Sequence, residues 1–156
     1  MLERSISRAH QVAKQDVETA LTDPMIFSGI RNAYSDEILL EPELSPLKRT
    51  TRLSDEEIQR LHTGVQTTIR VWIEKLLQAT ANSFPEKVTA FRPGMMAHGK
   101  YKQPCPKCQT PIQWIRYAKN ECNYFPKCQT GGKILADRSL SRLLKDDWPK
   151  TIEELE

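Results

Sequence analysis

Four cysteines between positions 105 and 128 constrain the fold of this chain more than any other feature. Cys105 and Cys108 are separated by two residues, the spacing at which a tight turn directs two sulfur atoms toward one metal ion. Cys122 and Cys128 follow, so that the complete pattern is C-x2-C-x13-C-x5-C. The first pair predicts half of a zinc knuckle.

The second half of the pattern departs from a standard knuckle, because Phe125 and not a cysteine lies three residues before Cys128. In a β-hairpin, moving a ligand by three residues displaces it by about 10 Å and reverses its face, whereas zinc–sulfur bonds measure about 2.3 Å. Either the second strand shifts to bring in Cys122, or three cysteines hold zinc with water or a borrowed ligand such as His98, or the thiols remain free. A disulfide is disfavoured in a cytosolic chain. We predict one structural zinc ion, with Cys105, Cys108, Cys122 and Cys128 as candidate ligands.

The positive charge of the chain is concentrated in the segment that holds these cysteines. Residues 98–133 carry seven lysines and arginines against one glutamate, whereas residues 1–97 and 134–156 have net charges of −1 and −2. Basic side chains near phosphates release condensed counterions, so this segment predicts binding to a polyanion. The alternative is a solvated basic face. No apolar run is long enough to span a membrane, and the N-terminus is too polar for a signal peptide, so we expect a cytosolic chain.

Helical periodicity dominates the first half of the sequence. Residues 4–22 predict a helix, and Asn32 stands at the N-cap position of a second helix over 33–40. A short turn containing glycine joins them into one supersecondary unit. Ser54 and Glu57 form a capping box, and the apolar stripe that follows predicts a long helix ending near Ala81, with the stripe packed in the core.

The predicted fold is mainly α-helical with a small β-hairpin zinc finger. The hairpin strands are placed at 113–117 and 122–125, and a short helix is placed at 136–144. The predicted parts are a helical domain over 1–81, a connecting loop over 82–104, a zinc-finger hairpin over 105–130 and a tail over 131–156.

Several segments resemble the formamidopyrimidine-DNA glycosylase and endonuclease VIII family. Residues 27–39 (FSGIRNAYSDEIL) resemble the helix–two-turn–helix signature of that family, and residues 53–62 resemble its next helix. The match runs in order from about Val17 to Gln129. The segments that resemble the C-terminal zinc finger of these bacterial enzymes are 98–100, 104–108, 110–112 and 128–129. The resemblance implies a helix–two-turn–helix domain, a zinc finger, base excision repair and double-stranded DNA as partner.

The resemblance also assigns roles to individual residues. Asn32 matches an asparagine that binds a DNA phosphate, in agreement with the anion affinity of helix N-termini. Lys100 matches a basic position near the DNA backbone, and Asn120 occupies the place of an arginine that inserts into DNA. Arg116 and Lys119 lie beside it at the predicted hairpin tip, where cationic side chains suit phosphate contact. The predicted DNA-binding residues are therefore Asn32, Lys100, Arg116, Lys119 and Asn120.

Two departures from the family pattern concern single residues. Arg31 stands where the family motif usually has glycine, so the turn must avoid a positive φ or absorb strain. Phe125 replaces the fourth zinc cysteine. The other three zinc-ligand positions of the family are matched by Cys105, Cys108 and Cys128.

The N-terminus is the largest departure. The family enzymes begin with a catalytic proline followed by glutamate on a β-sandwich domain, whereas this sequence begins Met-Leu-Glu-Arg and its first proline is Pro24. Schiff-base chemistry needs a positioned amine nucleophile. We therefore expect a DNA-binding portion that does not excise bases alone. The alternatives are an active glycosylase and AP lyase completed by a catalytic domain supplied elsewhere, and a basic zinc knuckle that binds a protein. Apolar surface left exposed on the first two helices would favour self-association.

Overall fold

The computed structural model describes residues 15–81, 83–84, 89–117, 120–136 and 140–155. The α-helices are α1 (Val17–Thr22), α2 (Asn32–Leu40), α3 (Asp55–Ala79), α4 (Pro126–Thr130) and α5 (Leu140–Leu144). Two antiparallel strands, β1 (Gln113–Tyr117) and β2 (Asn120–Tyr124), form a small sheet, and 3-10 turns cover Thr50–Arg52, Lys145–Asp147 and Ile152–Leu155. The mainly helical fold with a small hairpin is confirmed. Most of the helix predicted over 4–22 lies outside the described residues.

A tight turn connects α1 to α2. The Asp16 side chain caps α1 by accepting a hydrogen bond from the backbone N–H of Thr19 at 2.9 Å. Gly29 takes the left-handed φ of +92° that the turn requires, whereas Arg31 has a φ of −126°, which any residue adopts. The arginine in place of a glycine therefore causes no backbone strain. The prediction of Asn32 as N-cap is wrong by one position, because Arg31 takes the extended cap conformation and Asn32 is the first helical residue.

The long helix α3 begins at the predicted capping box. The Ser54 hydroxyl accepts from the Glu57 N–H at 3.2 Å, and the Glu57 carboxylate accepts from the Ser54 N–H at 3.0 Å. The helix ends at Ala79, two residues before the predicted end. At Gly64, a Cβ atom would lie 3.0 Å from Cδ of Pro42 and 3.2 Å from the carbonyl oxygen of Ile38. A glycine is therefore needed where α3 approaches the end of α2.

The main core joins the first three helices. Leu21 of α1, Ile38 and Leu39 of α2 and Leu61 of α3 are almost completely buried in it. The expectation of apolar surface exposed on α1 and α2 is wrong for the described residues. Exposed apolar side chains instead occur late in α3, where Leu77 is 65% exposed. None of the helices in the described part of the chain has the length and apolar character needed to cross a membrane.

The hairpin and α4 form a second, smaller unit. Ile115 pairs with Cys122 in the antiparallel register, and β2 begins at Asn120, two residues before the predicted start. Directly after β2, α4 begins with Pro126, a residue favoured in the first helical turn. The C-cap Gly131 has a φ of +63° and turns the chain toward the tail. The structure shows the last part of the helix predicted over 136–144, which is α5 (Leu140–Leu144).

Candidate metal centre and nucleic-acid interface

Three of the four cysteines lie together at the base of the hairpin. The Sγ atom of Cys128 is 3.9 Å from that of Cys105 and 3.7 Å from that of Cys108, and the three sulfur atoms all lie within 4.8 Å of one another. Sulfur atoms bound to one tetrahedral zinc at about 2.3 Å are separated by about 3.8 Å. The three thiols therefore fit three corners of a zinc tetrahedron.

Local backbone geometry explains why the first two sulfur atoms converge. The Lys107 N–H donates to Sγ of Cys105 at 3.3 Å, and the Cys105 N–H donates to the Thr110 carbonyl at 2.9 Å. Gln109 has a φ of +62°, which reverses the chain directly after Cys108. The turn therefore presents both sulfur atoms on one side, as the two-residue spacing predicts.

The environments of the two partly exposed thiols differ. Burial alone would raise the pKa of Cys108, but hydrogen bonds with Thr110 and the neighbouring thiols lower it to about 7. Burial and the hydrogen bonds to Cys108 and Cys105 raise the pKa of Cys128 to about 12. The cluster thus favours one thiolate near neutral pH, and metal binding would require the loss of further protons.

Cys122, predicted as a fourth ligand, is not brought to this cluster. It is fully buried on β2 in register with Ile115. Burial and the nearby carboxyl groups of Asp36 and Glu18 raise its pKa well above the usual value. The second strand does not shift, so the thiol is directed toward the helices and remains a core group.

His98, the other candidate ligand, also has a different partner. Its Nδ1 atom lies 2.8 Å from Oδ2 of Asp36, and its ring stacks on Phe91 at 5.1 Å between centroids. Burial would lower the pKa of His98, but the hydrogen bond and charge of Asp36 raise it. The same Oδ2 atom accepts from Nδ2 of Asn123 in β2 at 3.1 Å. Asp36 therefore ties both the preceding loop and the hairpin to α2.

Glu37 attaches the loop before the knuckle to α2. Its carboxylate accepts the backbone N–H groups of Met96, Ala97 and His98 at distances between 2.7 and 3.1 Å. Sequence reasoning did not assign these contacts to Asp36 and Glu37. The available signal was their position beside the apolar Ile38 and Leu39, where a buried carboxylate needs hydrogen-bond donors.

Gln129 attaches α4 to the helical domain. Its Nε2 atom donates to the carbonyl oxygens of Leu39 at 3.1 Å and Leu44 at 2.9 Å, and its Oε1 atom accepts from the Phe125 N–H at 2.6 Å. The Phe125 ring is fully buried in a cluster with Ala97. The hydrogen bonds of Gln129 therefore hold α4 to the helical domain without the cysteine thiols, while Cys108 and Cys128 pack against the same apolar cluster as Phe125.

Asn32 lies in the first turn of α2, and its side-chain amide makes a hydrogen bond to a residue of α1. Its Nδ2 atom donates to Oε1 of Glu18 at 3.2 Å. Glu18 is only 6% exposed, and burial together with the charges of Asp16 and Asp36 raises its pKa to about 7. The second N–H of the Asn32 amide and its oxygen are not used in this bond.

The hairpin carries cations over stacked aromatic rings. The rings of Tyr101 and Trp114 are parallel within 3° at 4.1 Å between centroids. Nζ of Lys102 lies 5.5 Å from the Tyr101 centroid, and Cζ of Arg116 lies 4.9 Å from the Trp114 centroid. A cation thus lies over each ring. Trp114 therefore takes part in packing between the hairpin and the loop that precedes it.

Two of the remaining predicted contact residues, Lys100 and Asn120, lie within the described part of the chain. Lys100 is partly buried, and its N–H donates to the Ala97 carbonyl in a turn at 3.1 Å. Asn120 is exposed at the start of β2. Lys119 lies outside the described residues.

The start of α2 and the hairpin lie on neighbouring parts of the molecule. Asp36, one turn after Asn32, is bonded to Asn123 in the middle of β2. Glu18, the partner of Asn32, is close enough to β2 for its charge to affect the Cys122 thiol. The helix α2 therefore lies close to β2.

The helical half of the chain identifies its family. The family model for the formamidopyrimidine-DNA glycosylase H2TH domain matches residues 2–83, which include α1, α2 and α3. The chain belongs to this H2TH family. The helix pair described above, with Asn32 opening its second member, lies within the matched region.

Curated relatives extend the H2TH match into the finger. A protein of Mycobacterium tuberculosis described as an uncharacterized formamidopyrimidine-DNA glycosylase-like protein is 37% identical over 130 residues, which cover 83% of this chain and 80% of that protein. The formamidopyrimidine-DNA glycosylase of Streptococcus mutans is 29% identical over 81% of this chain but only 46% of its own length. The chain thus spans under half of that glycosylase.

Solved structures share the fold. The MutM (Fpg) protein of Thermus thermophilus aligns with a TM-score of 0.66 at 22% identity, covering 81% of this chain and 49% of that protein. Lactococcus lactis Fpg in complex with DNA containing an abasic site aligns with a TM-score of 0.64 at 21% identity, covering 82% of this chain and 48% of that protein. The H2TH helices and the hairpin together therefore have the architecture of about half of these proteins.

Proposed function

We infer that this H2TH chain binds double-stranded DNA through the sugar-phosphate backbone. The observation that carries the inference is the position of Asn32 at the start of α2, beside the strand that follows the basic hairpin tip. One duplex would reach both groups, because phosphates repeat along its surface. The proposed contact residues are Asn32, Lys100, Arg116, Lys119 and Asn120.

Charge and preorganisation support this function. The segment from 98 to 133 has a net charge of +6, and the guanidinium group of Arg116 lies over the Trp114 ring. A cation held against a ring loses less conformational entropy when it meets a phosphate. Backbone contacts carry little sequence information, so binding is expected to be salt-sensitive and weakly sequence-specific.

One structural zinc ion belongs to the proposal. Cys105, Cys108 and Cys128 would hold it, since their sulfur spacing fits three corners of the tetrahedron. The bound ion would cross-link the knuckle turn to α4 and so fix the base of the hairpin.

Base excision is not among the roles that we propose for these 156 residues acting alone. They align with less than half of the Streptococcus mutans glycosylase, and the contacts proposed for them are to phosphates and not to a sugar carbon. The proposed site of action is the bacterial cytosol, where the chromosome lies.

Fluorescence anisotropy with labelled duplexes tests this function. The purified chain is titrated onto undamaged duplex and onto duplexes with an abasic site or 8-oxoguanine, and the same mixtures are analysed for strand cleavage. We expect binding without cleavage, and weaker binding for Asn32→Ala. Arg70→Ala, at an exposed position of α3, is the control and should bind as the original chain does. Absence of binding at low salt would refute the function, and cleavage by the pure chain would refute its non-catalytic character.

A further inference from the structure

We propose that the zinc ion at the Cys105, Cys108 and Cys128 cluster keeps its fourth coordination position for an exchangeable external ligand. The site would thus be open, with water in the resting state and a small nitrogen or sulfur donor able to replace it. This inference rests on the zinc proposed above, but not on DNA binding.

The composition of the cluster is the first argument. The cluster consists of three thiols whose sulfur atoms lie within 4.8 Å of one another. Among the described residues, no histidine or carboxylate group joins them. The two groups that would complete the set, Cys122 and His98, both interact with Asp36 of α2 instead. Zinc is almost always four-coordinate in proteins, and three protein ligands plus one solvent molecule define its open sites.

Phe125 is the second argument, because it occupies the sequence position of a missing thiol. It lies three residues before Cys128, just as Cys105 lies three residues before Cys108. Its backbone is the N-cap of α4, and its N–H is bonded to Gln129 at 2.6 Å. The turn of a second knuckle is therefore present, while the side chain that would donate a fourth sulfur is an apolar ring fully buried in the core.

The exposure of the sulfur-bearing residues is the third argument. Cys105 is buried on the core side with Phe125, whereas Cys108 and Cys128 are both partly exposed. Apart from the cysteines, Thr110 has a side chain within hydrogen-bonding distance of the cluster, with its hydroxyl 3.4 Å from Sγ of Cys108. A neutral hydroxyl is a weak zinc ligand beside thiolates. Solvent can therefore reach the cluster from the side of Cys108 and Cys128.

Cobalt substitution in the full chain tests the proposal. The protein is stripped of metal with a chelator under a phosphine reductant, titrated with Co²⁺, and then titrated with imidazole as the external ligand. We expect sulfur-to-cobalt absorption with the intensity of three thiolates and a shift of the visible bands on addition of imidazole. Cys122→Ser should give the same spectrum and the same shift.

The Phe125→Cys variant adds a thiol at the position where the fourth zinc ligand is missing. This variant should show four-thiolate intensity, lose the response to imidazole, and bind zinc more tightly by about tenfold or more, since outer-shell contacts alone are worth roughly that much. Phe125→Ala creates the same space without a thiol and should keep the response to imidazole.

The outcomes separate the two claims about the metal. Cobalt that binds the original chain without responding to imidazole would overturn the open site and leave the structural zinc standing. Loss of one thiolate of intensity in Cys122→Ser would overturn it in favour of a closed four-cysteine site. Failure to bind cobalt or zinc would overturn both the open site and the structural zinc.

Discussion

The carboxyl oxygen Oε1 of Glu18 lies 3.2 Å from the amide nitrogen of Asn32, the residue proposed to bind a phosphate. An acidic group in that place fixes the orientation of the amide but opposes an approaching anion when it is ionised. Because burial raises the pKa of Glu18 to about 7, its charge changes near neutral pH. The stability of the fold is therefore linked to this proton, and so is the DNA binding that we propose for Asn32.

Glu18→Gln should reduce the loss of stability at high pH. In the original chain the folded state holds the Glu18 proton up to about pH 7, whereas a glutamate in the unfolded chain releases it near the ordinary pKa of 4.5. Stability contributed by this group is thus complete below pH 4.5 and is lost as the pH rises through 7. The variant should be more stable than the original chain at pH 8 by about 1–2 kcal/mol, allowing for solvent screening, and of similar stability at pH 4.5. Urea unfolding at both pH values measures this, and an equal difference at both would contradict it.

Gln129→Ala should loosen the finger from the helical domain. The substitution removes the partner of the Phe125 N–H and of the Leu44 carbonyl, whereas the Leu39 carbonyl keeps its hydrogen bond from the Leu44 N–H at 3.3 Å. Buried unsatisfied groups cost about 1–3 kcal/mol each, so a loss of about 2 kcal/mol or more is expected in thermal or urea unfolding. Gln113→Ala, which removes one 3.4 Å hydrogen bond at a partly exposed position, is the matched control. Equal effects of the two substitutions would argue against the docking role.

Gly64→Ala should destabilise the chain although alanine is the better helix former. The added methyl group would lie 3.0 Å from Cδ of Pro42 and 3.2 Å from the Ile38 carbonyl. Overpacking of this kind costs about 1–3 kcal/mol, against a gain of about 1 kcal/mol in helix propensity. A lower melting temperature is expected. A higher one would show that α3 does not need its close approach to α2.

Removal of zinc should leave most of the fold in place. The bonds from Glu37 and Gln129 and the buried ring of Phe125 connect the finger to α2 without the metal. Treatment with a chelator should therefore leave the far-ultraviolet circular dichroism nearly unchanged while hydrogen exchange quickens at residues 105–110. Collapse of the helical signal on chelation would contradict this, because structural zinc would then be carrying the fold.

Local features of this chain were predictable and long-range ones were not. The capping box at Ser54 and the turn between Cys105 and Cys108 depend on residues within three positions of one another, and both form as expected. The choice between Cys122 and a three-cysteine site depends on which face of the hairpin meets α2. That choice is made by Asp36, which lies far away in the sequence and whose role a single sequence does not reveal.

The docking contacts were missed for the same reason. Glu37 and Gln129 bond to groups about 60 to 90 positions away. No periodicity or spacing rule connects such residues. The N-cap prediction for Asn32 was wrong by one position, and its partner Glu18 lies on a neighbouring helix and was not anticipated.

The salt dependence of duplex binding tests the central claim most directly. We predict that the logarithm of the binding constant falls linearly with the logarithm of salt concentration, with a slope of about −0.9 for each phosphate contacted. Arg116→Gln should reduce the magnitude of that slope by about 1, Asn32→Ala should weaken binding at an unchanged slope because the amide is neutral, and Arg70→Gln should change neither. Affinity that does not vary with salt, or that survives both the Asn32 and Arg116 substitutions, would contradict a duplex held jointly by α2 and the hairpin.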